Sequence, residues 1–261
     1  MSEKLAALAV GAHPDDVELM MAGTLSLLAK AGFKPHILTV ANGSCGTAEY
    51  TEKEIIRIRR NEARRAAELM GATYHPGLTN DMEVFFEDNL IRKATAVVRE
   101  VQPTIVLLPS LNDYMEDHQN SGRVTVTACF ARGMQNYLTL PRRPATFQDV
   151  YLYHAQPWFN RDEMRNVVMP SLVVDVAGEI ELKDRMLRCH ASQKNWLDAS
   201  QGQDAYLLTM RQVCAETARI SGIRGLKYAE GFRQHNSLGF SAKDKDVLSE
   251  ALGNKVRKVK A

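Results

Sequence analysis

An unbroken apolar run, Leu5-Ala6-Ala7-Leu8-Ala9-Val10, passes directly into Gly11-Ala12-His13-Pro14-Asp15-Asp16-Val17-Glu18. The run reads as a buried strand, and residues 17–31 carry helical apolar spacing that stops at Gly32. An imidazole and two carboxylates therefore sit at a strand-to-helix junction. The first half repeats this alternation. Residues 35–41 read as a second strand closed by Asn42-Gly43, and a charged helix follows from Thr51 to Met70, with Thr51–Glu54 as a capping box and Gly71 as its stop. Residues 72–78 form a short strand candidate, 88–101 an amphipathic helix ended by Pro103, and 104–109 a central strand. A polar loop over 110–120 leads to a helix over 121–137. This order predicts an α/β fold with a parallel sheet and helices on both faces.

The second half is less regular. Residues 149–156, 171–177 and 227–232 read as strands, and 180–194 and 203–221 as helices. No linker or repeat divides the chain, so one domain over 1–261 is expected, with an elaborated C-terminal half. The tail over 241–261, with Lys255, Arg257, Lys258 and Lys260, is expected to be solvated, frayed and peripheral.

Sheets of this kind gather their chemistry beyond the carboxyl ends of the strands, where both the first motif and the 110–120 loop fall. His13 and Asp16 stand three apart around Pro14, which suits a first helical turn, so the two can converge on one divalent metal. Asp15 between them is left to act as a base on a water activated there. Helix capping accounts for an aspartate at such a start, but two adjacent aspartates after His-Pro make a tighter pattern than capping needs. A zinc site with an open position has three protein ligands, and His118, beside Asp117, is the third candidate on the same sheet edge.

With these residues in view, the chain resembles the zinc-dependent N-acetylglucosaminyl deacetylases of the PIG-L/LmbE family. The family's Ala-His-Pro-Asp-Asp-x-Glu is present as Ala12 to Glu18, and its later His-x-Asp-His motif is matched by Met115-Glu116-Asp117-His118. Further echoes are Asn42-Gly43, Arg59 with Glu62, Asp81, His190-Ala191-Ser192-Gln193 and Tyr228 to Phe232. The resemblance implies a Rossmann-like three-layer sandwich with a mostly parallel sheet. It also implies Zn2+ held by His13, Asp16 and His118, Asp15 as general base, and Arg59 and Asp81 near the substrate sugar. Two nitrogens and one carboxylate also suit iron, manganese or cobalt. The implied reaction removes the N-acetyl group from a small amino-sugar conjugate.

One departure matters. The motif's first histidine, credited with stabilising the oxyanion, is Met115, and a thioether donates no hydrogen bond. Candidate replacement donors are Tyr114, His154, His190 and His235; His190 reads equally as a packed structural residue. Hydrolysis of another amide or an ester, or a non-catalytic sugar- or metal-binding role, are the alternatives that Met115 raises. His36 and His75 read as strand or turn residues without partners.

The formal charge of +2 gives no reason to expect nucleic acid or an acidic membrane as partner. No stretch approaches the roughly 18 apolar residues of a membrane span, and the N-terminal apolar run is short for a signal peptide. Four cysteines without C-x-x-C spacing read as reduced thiols, and the expected location is cytoplasmic. A homo-oligomer is an expectation by analogy alone.

Overall fold

In the computed structural model, which describes residues 5–194, 196 and 206–260, eight strands form one sheet. They are β1 (Ala6–Gly11), β2 (Lys34–Thr39), β3 (Thr73–His75), β4 (Ile105–Leu108), β5 (Tyr151–Ala155), β6 (Leu172–Asp175), β7 (Ala229–Gln234) and β8 (Val256–Lys258). Their order is β3-β2-β1-β4-β5-β7-β6-β8. The first five pair in parallel, and β7, β6 and β8 add an antiparallel extension. The chain leaves β1 toward β2 and leaves β4 toward β5, in opposite directions across the sheet, so the crevice between the carboxyl ends of β1 and β4 is the topological switch point.

Helices cover both faces, as expected. The elements are α1 (Asp16–Met20), α2 (Ala22–Lys30), α3 (Glu52–Met70), α4 (Asp88–Val101), α5 (Glu116–Ala131), α6 (Ile180–Leu187), α7 (Tyr206–Ile220) and α8 (Val247–Leu252). Alternate strand residues divide between two cores. Ala7, Ala9, Ile105 and Leu107 pack with Leu25 and Leu28 of α2, Ala66 of α3 and Met210 of α7. Leu8, Val10, Val106 and Leu108 pack with Leu90 and Ala94 of α4 and Val124 and Ala128 of α5.

Four differences from the sequence reading have physical causes. The first helix breaks at Met21, whose φ/ψ of −139/−13° caps α1 and opens α2. The helix expected from residue 121 begins at Glu116, where acidic Glu116 and Asp117 favour the positive helix start; the polar run that read as loop is its first turn. The helix expected over 180–194 stops at Leu187 and resumes over 191–194. The tail is not frayed: Leu248 is buried in the core, and Val256 pairs with Val174 to make β8 the sheet edge. The start of the helix expected from 203 lies outside the described residues as far as 205.

Candidate metal centre and cavity

The carboxyl ends of β1 and β4 deliver the two motifs to one place. From β1, Gly11 and Ala12 carry the chain into His13, while α5 carries His118 in its first turn. One ligand atom from each of His13, Asp16 and His118 lies within 4.8 Å of the others. His13 Nδ1 and His118 Nε2 face Asp16 Oδ2 at 3.7 and 3.6 Å. The three expected ligands are therefore together.

Each imidazole is aimed from behind. His13 Nε2 donates to Asp117 Oδ2 at 3.0 Å, and His118 Nδ1 donates to Asp113 Oδ1 at 3.0 Å. A carboxylate only accepts, so in the neutral form of each ring the unprotonated nitrogen is the one on the Asp16 side. Carboxylate–histidine pairs of this kind orient metal-ligating rings and raise their basicity. Asp117 is itself fixed by the Met82 amide at 2.9 Å. Although burial pushes it up, the His13 ring and that amide hold Asp117 below the usual carboxylate range. Burial would likewise depress His118, but Asp16 and then Asp113 raise it to about 9. This is the field a dication needs: two neutral-capable nitrogens, one carboxylate and further anions behind them. The donor set fits a divalent metal with an open position.

Asp15 is buried and adopts φ 118°, ψ −21°, a left-handed conformation that costs an aspartate roughly 1–3 kcal/mol. Its side chain is gripped by groups from two other helices. Tyr206 Oη donates to Oδ2, and Arg59 Nη2 stands 3.6 Å from Oδ1. Burial raises the Asp15 pKa to about 6, against the lowering by Arg59 and Tyr206 and with the help of Asp16. A carboxylic acid with this value takes and returns a proton near neutrality.

Arg59 also donates to the Pro14 carbonyl at 2.7 Å, which ties α3 to the motif. The 43–46 loop closes over it. A Cβ at Gly43, where φ is +82°, would meet Arg59 Cδ at 2.5 Å, so the position takes glycine for space and backbone alike. Asp81 organises the same loop, accepting from the Gly43 and Cys45 amides at 2.7 and 2.9 Å. It reaches the cavity wall with both oxygens engaged.

These groups line one end of a cavity of about 320 Å³. Tyr114 and Met115 line it too, as do Trp158, Trp196, Met20 and Met82. The other candidate donors do not. His154 alternates with Tyr153 and Ala155 along β5, so it faces the α4/α5 side, whereas Ala155 faces the cavity. Its Nδ1 meets the Pro109 carbonyl and its Nε2 meets His235, both at 2.9 Å. His190 is fully buried with Nε2 3.2 Å from Glu18 Oε1, which makes it the packed structural residue of the two readings. His36 and His75, expected to lack partners, contact each other at 3.0 Å.

The sequence reading did not single out Tyr206, Asp113 or Trp158. Asp113 had a signal, because each ring of a metal site needs an acceptor behind it and the loop before His118 supplies one. Tyr206 had none, being nearly two hundred residues from Asp15.

Residues 8–129 match the family PIG-L: GlcNAc-PI de-N-acetylase. Over that stretch, just under half of its length, the chain is similar to the PIG-L/LmbE family. Diacetylchitobiose deacetylase of Thermococcus kodakarensis is 28% identical over 236 residues, 87% of this chain and 81% of that protein. A 4-oxalmesaconate hydratase of Pseudomonas putida is 27% identical over 240 residues, 87% of this chain and 88% of that one. Among solved structures, the N,N'-diacetylchitobiose deacetylase of Pyrococcus horikoshii superposes with a TM-score of 0.73 at 22% identity, covering 94% of this chain and 89% of that one. This chain thus shares its fold with a deacetylase and resembles both a deacetylase and a hydratase in sequence.

Proposed function

We propose that this chain is a zinc-dependent hydrolase that removes the N-acetyl group from an N-acetylglucosamine-type conjugate. The observation that carries the reading is the convergence of His13, Asp16 and His118 beside a buried Asp15 at the cavity floor. When bound, the metal would polarise the acetyl carbonyl and make water acidic enough to react near neutral pH. Asp15 takes the proton of the attacking water and returns it to the departing amine. Tyr206 and Arg59 hold its carboxyl in place through that cycle. Tyr114 takes the role left open by Met115: it lines the cavity, and burial with Asp16 and Asp113 nearby raises its pKa, so the hydroxyl stays a donor for the oxyanion. Arg59 walls the sugar side, with Asp81 shaping the loop around it.

Met115 and the hydratase relative favour a second reading, addition of water to a carbon–carbon double bond. The cavity's charge argues against it. Arg59 is the one Lys or Arg among the described lining residues, and its Nη2 faces Pro14 and Asp15. Five aspartates share the cavity, a poor match to a polycarboxylate such as 4-oxalmesaconate. Acetate release from N,N'-diacetylchitobiose by the zinc-loaded protein tests the choice. Release that disappears in Asp15→Ala, with zinc retained, is the expected result. Hydration of 4-oxalmesaconate without acetate release from any N-acetylglucosaminide would reverse it.

A further inference from the structure

The cavity lining includes large apolar side chains that deacetylation does not use. Trp158 follows β5 and lines the cavity, as does Trp196; they are the only two tryptophans of the chain. Met20, Met82 and Met115 line the cavity as well, and Met82 is 65% exposed. Indole faces offer large apolar contact with little rotamer entropy to lose, and thioethers adapt to rings and make favourable contacts at their edges. A sugar carrying a phosphate or carboxylate would need cations here, and among the described lining residues a single Arg59 stands against five aspartates that repel further negative charge.

Building on the deacetylase reading, we propose that the substrate carries an uncharged apolar aglycone, an aryl group in the simplest case, which lies against Trp158 and the cavity's methionines while the acetamido group faces Asp15. Trp158 is then the specificity-determining residue, and Met115 serves as part of the apolar surface.

Both tryptophans line the cavity, so the protein's own emission reports on occupancy without turnover. The zinc-loaded Asp15→Asn protein is titrated with phenyl N-acetyl-β-glucosaminide, the methyl glycoside and N-acetylglucosamine 1-phosphate. The expected result is at least tenfold tighter binding of the phenyl than of the methyl glycoside, with the phosphate weakest. In Trp158→Ala, Trp196 still reports, and the phenyl preference should fall to within threefold; Trp158→Phe should restore most of it and so rule out a folding defect. Equal affinity for phenyl and methyl glycosides, or tightest binding of the phosphate, overturns the proposal. Acetate release by the wild type is followed separately. Release at equal kcat/KM from all three compounds overturns the apolar subsite and leaves the deacetylase standing. A phenyl preference in binding without any acetate release supports the subsite and defeats the deacetylase reading.

Discussion

Two histidine pairs at this sheet invite comparison, because among the described residues one of them belongs to a His-Asp-His cluster that could hold a cation and the other does not. His13 and His118 each give one ring nitrogen to a buried carboxylate and turn the other toward Asp16. His154 and His235 spend their contacts on the Pro109 carbonyl and on each other. Burial dominates in the second pair, lowering His154 to about 4 and His235 below its ordinary value. In the first pair the surrounding aspartates outweigh burial and lift His118. Two imidazoles in contact do not make a metal centre. Anionic partners, behind the rings and beside them, give the first pair a donor set that fits one.

The sharpest way to break this contrast is His118→Ala. Bound zinc, measured by elemental analysis, should fall close to zero and turnover should vanish, with circular dichroism unchanged; a variant that keeps one zinc per chain would undo the ligand assignment. Asp117→Asn and Asp113→Asn remove the partners behind the rings and should each weaken zinc binding about 10–100-fold, read by competition with a chelator. Tyr206→Phe acts one step further out. It removes a hydrogen bond to a carboxylate worth about 1.5–3 kcal/mol, so kcat should drop at least about tenfold with KM and zinc content unchanged. The smallest effect belongs to His154→Gln, which should leave zinc and turnover within twofold. Its signature is acid stability. With a folded pKa near 4 against 6.5 unfolded, native His154 stays neutral while the unfolded chain takes up a proton, so stability declines as pH falls from 6.5 toward 4. The substitution should flatten Tm against pH in that window; an unchanged slope would remove His154 as a source of acid lability.

The family echoes that looked functional in sequence divide along similar lines. Glu62 accepts from the Ser192 amide and hydroxyl at 3.0 and 2.6 Å, so it holds the 191–194 turn. Glu230 accepts from Gly23 and Thr24 at the start of α2 and pairs with fully buried Lys183. Removing one partner of such a pair costs about 3–5 kcal/mol through the stranded charge. These residues keep the scaffold under the motif together. Sequence spacing alone did not separate them from Arg59, because a buried structural charge and a site charge look the same along the chain.

The sequence by itself determined the strand–helix alternation, the parallel half of the sheet and the three metal-ligand candidates. Those features are local: apolar periodicity follows from burial, and His13 and Asp16 stand three apart across a tight turn just ahead of α1. The antiparallel edge, the seating of β8, the Tyr206 grip on Asp15 and the rejection of His154 as a donor belong to tertiary structure. Each depends on which face of the sheet a side chain takes, or on a partner many residues away, and no local pattern encodes that.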